Sequence, residues 1–191
     1  MPILLAVRAV LNLDDSVKVV VFTVAIFAFF LLARLSNLLP VSTRAFRWTR
    51  DLCRRNILLI DDHLIVIFNC TKTIQFGEHR LKIPLVPFPG SSICPVEFYL
   101  RMIQLLPASS SSPAFVIPGC KGLQVLSKSY FIKLFRELLQ RAGVPLANCY
   151  SGHSFRRGEL HGRLVLECQG NSFRYWVIGN LNVIRDILNF H

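Results

Sequence analysis

The sequence lacks the residue patterns that hold metal ions, nucleotides or a disulfide framework. Its six cysteines include no Cys-x-x-Cys pair, which argues against a zinc ribbon and against a disulfide scaffold, and it has no glycine-rich phosphate loop. We therefore expect no metal and no cofactor. Reduced thiols are typical of a nuclear or other intracellular protein. The cysteines are Cys53, Cys70, Cys94, Cys120, Cys149 and Cys168.

Acidic residues are scarce, with 11 Asp and Glu against 22 Lys and Arg and a formal net charge of +11. Such an excess of basic side chains indicates a polyanionic partner, either nucleic acid or an anionic lipid surface. A basic soluble protein without such a partner has the same charge balance. The length of 191 residues suits one domain, or one domain with a tail, and allows a buried core.

The best candidate for a membrane-spanning segment is too short to cross a bilayer. It runs from Val19 to Ala33, is interrupted only by Thr23, and is bracketed by Lys18 and Arg34. Because a transmembrane helix needs about 20 residues, we interpret this run as a helix buried on all sides by the rest of the protein. The alternative is a small basic membrane protein that this segment anchors.

Helix-start and helix-stop residues predict four helices in addition to the apolar helix. Capping residue types at positions 14–16 separate a first helix from the apolar helix, Pro95 suits the first turn of a later helix, and Gly143 suits a helix end. We expect helices at residues 2–13, 16–34, 94–106 and 127–142, and another that begins near His153.

Three apolar, β-branched segments predict a small antiparallel sheet. Asp61, Asp62 and His63 separate the first two segments as a hairpin turn, and Pro84 places the third strand at an edge. The expected strands cover residues 56–60, 64–68 and 80–86, and residues 114–117 form one short extended piece. The order of helices, small sheet and helices predicts an α+β fold that is mainly α.

One polar segment carries chemistry suited to a phosphate. It begins at Tyr150 and reads Tyr-Ser-Gly-His-Ser-Phe-Arg-Arg-Gly, so that His153 and Arg156 stand three residues apart. In a helix such residues share one face. Arg can grip two oxygens of a phosphate at once, and His can donate or accept a proton near neutral pH. A surface helix with two solvated polar side chains has the same spacing.

Four ordered segments resemble the catalytic domain of the tyrosine recombinases of the phage-integrase type. The resemblance is closest to the recombinases of eukaryotic mobile elements, of the DIRS and Crypton-like kinds, and covers residues 1–158. It implies the recombinase catalytic core fold and a function in DNA recombination and DNA integration, with DNA and other recombinase protomers as partners. The four segments run from Phe29 to Pro40, from Thr71 to Phe76, from Cys94 to Val96 and from Ser151 to Gly158.

The resemblance also implies a role for each of four side chains. Arg34 and Arg156 would clamp the scissile phosphate and neutralise the charge that grows on its oxygens. Lys72 would protonate the leaving 5′ oxygen, and His153 would handle the proton beside the nucleophile. Further basic side chains would contact DNA phosphates independently of sequence, namely Arg44, Arg47, Arg50, Arg54, Arg55 and Lys128.

The resemblance ends at Gly158, and the nucleophilic Tyr of the family is missing. The family continues with a Gly-Ala-Ser-Trp segment and a Val-Pro-Gly-Glu turn, neither of which is in register here. Codons compatible with the segment from Gly158 to Gly162, read from the third base of codon 158, encode Gly-Ala-Ser-Trp. We therefore interpret residues 159–191 as a frame-shifted tail. We expect a catalytic core truncated at its C-terminus, poorly packed from about Glu159, that binds DNA without cutting it.

Overall fold

The computed structural model describes residues 2–70 and 80–152. Within these residues more of the chain is helical than extended, and the predicted α+β class is confirmed. The helices are α1 (Pro2–Ala9), α2 (Ser16–Phe30), α3 (Leu35–Leu38), α4 (Pro95–Leu105) and α5 (Lys128–Arg141). The strands are β1 (Ile57–Ile60), β2 (His63–Phe68), β3 (Leu81–Leu85), β4 (Val116–Gly119) and β5 (Gly122–Val125).

Helix α2 is the centre of the hydrophobic core. The carboxylate of Asp15 caps its first turn by accepting a hydrogen bond from the backbone amide of Lys18 at 3.1 Å. Every residue from Val19 to Ala28 is buried, which confirms the predicted central helix. The helix has 15 residues. In the parts of the chain that the structure describes, no helix combines the length and the apolar character needed to cross a membrane.

Aromatic rings join α2 to the elements packed around it. Phe22 meets Phe98 of α4 edge-on, with ring centroids 4.9 Å apart. Phe27 meets Phe115, just before β4, with centroids 5.5 Å apart. Edge-to-face pairs of this kind add to the stabilisation that burial alone provides. The core therefore depends on one helix that touches both halves of the described chain.

The first two helices end earlier than the sequence predicts. Helix α1 ends at Ala9 rather than near residue 13, because the side chain of Asn12 accepts a hydrogen bond from the amide of Asp14 and favours a local turn. Helix α2 ends at Phe30 rather than near Arg34. Two residues later, Leu32 has a φ of 54°, which no right-handed helix can accommodate.

The predicted three-stranded antiparallel sheet is present, in the order β1–β2–β3. Ile60 pairs with His63, so the turn consists of Asp61 and Asp62 alone, and both have positive φ angles. His63, which we expected in the turn, begins β2 instead. Pro84 lies in the edge strand β3, as predicted. In the described residues β1 pairs only with β2, and three of its four side chains are exposed.

A second hairpin was not predicted in full. The sequence indicated one extended piece at residues 114–117, whereas the structure has two paired strands, β4 and β5, with Val116 opposite Val125. Each strand has only four residues, and β5 is largely exposed. Leu123, Gln124 and Val125 alternate between apolar and polar, but a pattern of three residues is too short to predict a strand.

Candidate phosphate-binding site

Arg34 lies in the short connection between α2 and α3. It occupies the position that precedes the first residue of α3, with an extended backbone, and its side chain is half-buried. Its guanidinium forms no hydrogen bond or ion pair with any residue in the ranges 2–70 and 80–152. An arginine has five N–H donors and no acceptor. Arg34 therefore has donor groups available for an anion.

The connection that carries Arg34 contains a strained residue. Leu32 adopts the left-handed backbone conformation, at a φ of 54°. For a residue with a side chain this conformation costs about 1–2 kcal/mol, so the surrounding structure must hold it. The flanking residues Leu31 and Ala33 are both buried and supply that restraint. The backbone direction at Arg34 is consequently set by packing on either side of it.

The end of the described chain returns to this connection. A Cβ atom added to Gly152 would lie 3.3 Å from Cδ1 of Leu35 and 3.7 Å from Cε of Lys128. The residue directly before His153 is thus in close contact with the residue directly after Arg34. Only glycine gives such room without displacing the buried Leu35 side chain.

Two further hydrogen bonds hold the segments that meet there. The backbone amide of Lys128, at the start of α5, donates to the carbonyl oxygen of Pro40 at 3.0 Å. Nε of Arg136, further along α5, donates to the carbonyl oxygen of Tyr150 at 2.9 Å. Helix α5 therefore binds both the segment that follows Arg34 and the segment that precedes His153.

The sequence did not predict that Lys128 would lie at this site. It was expected among the general phosphate contacts, and it is indeed exposed. The structure adds that its side chain lies against Gly152. The only sequence signal was its place next to the helix-capping residue Ser127, whose hydroxyl accepts from the amide of Tyr130 at 3.4 Å. Such a cap predicts where a helix begins but not which distant residues lie beside it.

The other three predicted site residues lie outside the described residues. Lys72 belongs to the connection between β2 and β3, whose ends adjoin because Phe68 pairs with Leu81. His153 and Arg156 follow the last described residue, Gly152. The convergence of these three side chains with Arg34 stays a prediction, as does the poor packing expected after Glu159.

Arg54, which we predicted among the surface contacts to DNA phosphates, is buried. Only 8% of it is exposed, and its Nη2 donates to the carbonyl oxygen of Leu106 at 3.1 Å. Burial lowers the pKa of its guanidinium, and the electrostatic interaction with the side chain of Tyr99 partly opposes that effect. Arg54 therefore has a structural role in the fold. The five other basic side chains of that group are exposed, namely Arg44, Arg47, Arg50, Arg55 and Lys128.

Among the residues of known placement, no three His, Cys, Asp or Glu side chains are grouped so that they could hold a metal ion.

In comparisons with known proteins, no family model, no curated protein and no solved structure matches the chain.

Proposed function

We propose that this chain is a DNA-binding domain of the tyrosine-recombinase kind, of mobile-element origin, that binds a DNA phosphate without cleaving the strand. Arg34 and Arg156 clamp the nonbridging oxygens, and Lys72 and His153 flank the bridging oxygens. Strand cleavage would require a tyrosine hydroxyl in line with the phosphate. We propose that this hydroxyl is missing because residues 159–191 are read in another frame.

The contact of Gly152 with Leu35 is the observation that best supports this proposal. These residues are distant in sequence, and each is directly adjacent to a proposed phosphate ligand, His153 in one case and Arg34 in the other. A phosphate spans only a few ångströms, so its ligands must come from segments that touch. Arg34, whose guanidinium has no partner among the described residues, and the exposed Lys128 add positive charge at the same place.

The order of the elements also supports the proposal. A long buried helix precedes Arg34, and Lys72 belongs to the connection of an antiparallel hairpin, as the resemblance implies. The net charge of +11 suits a partner as strongly negative as DNA. A membrane anchor from Val19 to Ala33 is the alternative. The burial of Val19 to Ala28 by the rest of the chain favours the interpretation of this segment as a core helix.

Duplex binding by the purified full chain tests the proposal. We expect Arg34→Ala to weaken binding about 10- to 100-fold, because a charge-assisted hydrogen bond is worth about 1.5–3 kcal/mol. The slope of log K against log salt should fall by about 0.9, the value for one phosphate contact. Arg141→Ala is the matched control, since Arg141 is exposed at the far end of α5. Equal losses for the two variants would contradict the proposed site.

A covalent-adduct assay tests the absence of cleavage. The translated chain, incubated with labelled duplex DNA and then denatured, should leave no label on the protein. A second chain, expressed with a single base inserted at codon 158, restores the family frame and should form the adduct. Label on the translated chain would refute the proposed inactivity. Flotation of the translated chain with lipid vesicles would support the membrane alternative instead.

A further inference from the structure

An exposed tryptophan, Trp48, lies in an arginine-rich loop. Residues 43–55, which we call the arginine loop, contain five arginines and one acidic residue, Asp51. Trp48 is near the middle of this loop and is 55% exposed. Tryptophan is enriched at binding interfaces, because its ring is largely apolar while its N–H is polar.

The arginine loop has a defined shape although it contributes little to the core. The carboxylate of Asp51 accepts one hydrogen bond from the backbone amide of Arg47 at 2.7 Å and another from Nε of Arg50 at 3.2 Å. The amide of Asp51 donates in turn to the carbonyl oxygen of Arg47 at 2.8 Å. The one acidic residue is therefore used to fold the loop, and it leaves the remaining arginines without a neutralising partner.

Arg55 fixes the orientation of the Trp48 ring. Its guanidinium carbon lies 4.7 Å from the ring centroid, and its Nη2 donates to the carbonyl oxygen of Trp48 at 3.3 Å. A cation above an aromatic face is attracted to it and limits its movement. No other ring or cation of the described residues contacts this indole. Arg55 lies over one face of Trp48, and from the 55% exposure of the residue we infer that the opposite face is the open one.

Arginines close to Trp48 in the sequence supply donor groups. Arg44 is exposed, and its side chain has no partner in the described residues. Arg47 directly precedes Trp48 and is exposed; its Nη1 donates to the carbonyl oxygens of Arg44 and Phe46, and its other N–H groups have no partner in the described part of the chain. An aromatic face next to several unpaired guanidinium groups is the combination that binds a base together with its phosphate.

We propose that the arginine loop binds an unpaired nucleotide of single-stranded nucleic acid, with the base stacked on the open face of Trp48 and the phosphates held by Arg44 and Arg47. In a duplex, both faces of each base are covered by neighbouring bases, so only an unpaired base can reach the indole. An acidic protein could satisfy the arginines, but it would leave the flat indole face without a matching partner. This inference is independent of the function proposed for Arg34.

Tryptophan fluorescence detects such stacking directly. The chain has two tryptophans, Trp48 and Trp176, so the full chain with Trp176→Phe reports on Trp48 alone. We expect saturable quenching by oligo(dT) and no comparable quenching by a duplex of equal length. Oligo(rU) distinguishes DNA from RNA as the source of the nucleotide, and quenching by either strand supports the proposal. Equal quenching by the duplex, or none by any single strand, overturns it and leaves Trp48 as a protein-docking side chain.

Binding of a labelled oligo(dT), followed by fluorescence anisotropy, separates stacking from charge. Trp48→Ala should weaken binding about 10-fold, since one stacked base is worth about 1–3 kcal/mol, and the salt dependence should not change. Trp48→Phe should recover part of the loss. Phe88→Ala, at another exposed aromatic residue, should bind within about twofold of the parent chain. An unchanged affinity for Trp48→Ala overturns the proposal. Trp48→Ala should leave duplex binding intact, and Arg34→Ala is tested by duplex binding alone, so the two proposals fail separately.

Discussion

Arg54 and Tyr99 interact electrostatically inside the protein, where neither is paired with a carboxylate among the described residues. Burial raises the pKa of Tyr99 and lowers that of Arg54, because the loss of water disfavours the charged form of each group. Nη2 of Arg54 also donates to Leu106, while its Nε has no partner. The guanidinium thus binds the residues before β1 to the C-terminal end of α4.

Replacing Arg54 should destabilise the fold and not only weaken DNA binding. We expect Arg54→Ala to lower the free energy of unfolding by about 2–3 kcal/mol, because it leaves the carbonyl oxygen of Leu106 without a donor and removes a buried side chain. Arg44→Ala is the matched control, since Arg44 is exposed and its side chain has no partner among the described residues, and should change the free energy by less than about 0.5 kcal/mol. Urea denaturation measures both. Equal stabilities would contradict the structural role of Arg54.

Stability should fall at alkaline pH. Burial raises the pKa of Tyr99 and that of Cys53, so the folded chain holds these protons more tightly than the unfolded chain. Their contribution is complete below the unfolded pKa values, 9.0 for the thiol and 10.0 for the phenol, and is lost as the pH rises through the folded values. Urea midpoints taken between neutral pH and about pH 11 test this. Tyr99→Phe should flatten the decline above about pH 10, and an unchanged decline would contradict the assignment.

Phe27 should be among the most sensitive core positions. Its ring is fully buried and packs against Phe115 and Tyr99. We expect Phe27→Ala to cost about 3–5 kcal/mol, a large part of the total stability of an ordinary domain. Phe27→Leu keeps more volume and should cost less, so it provides a measurable variant if the alanine chain does not fold. Phe88→Ala is the exposed control. A small loss for Phe27→Ala would show that the core around α2 is loosely packed.

Leu146 offers a substitution that should stabilise the chain. Its φ is 54° and its side chain is 77% exposed. Leu146→Gly removes about 1–2 kcal/mol of backbone strain and adds about 0.5–1 kcal/mol of unfolded-state entropy, so the melting temperature should rise slightly. Ala142 ends α5 with a backbone φ of −78°, so Ala142→Gly relieves no strain and only adds entropy to the unfolded state. This variant should lower the melting temperature. A decrease for both would contradict the left-handed conformation of Leu146.

Local chemistry explains what the sequence could predict. The cap at Asp15, the turn at Asp61 and Asp62 and the end of α5 before Gly143 depend on residues within a few positions of one another, and all three are present. The buried helix was predictable because Val19 to Ala28 has a single polar side chain, Thr23, whose hydroxyl donates to the carbonyl oxygen of Val19 within the helix. Such local sequence patterns predict the same local structure in any protein that contains them.

Long-range contacts explain what the sequence could not predict. Arg54 is adjacent to Arg55 and of the same residue type, yet one is buried and the other exposed, because Tyr99 and Leu106 lie over only one of them. Likewise, the strain at Leu32 is maintained by packing, and the contact of Gly152 with Leu35 joins distant segments. No periodicity in the sequence carries that information.

One edge of β1 pairs with no described residue, and this has a practical consequence for purification. Its exposed side chains are Leu58, Leu59 and Ile60, and an apolar strand with open backbone groups is a template onto which another extended segment can add. Concentrated samples should therefore self-associate through this strand. A lysine introduced by Leu59→Lys would place a charge on it and should keep the chain dispersed at concentrations where the parent chain precipitates.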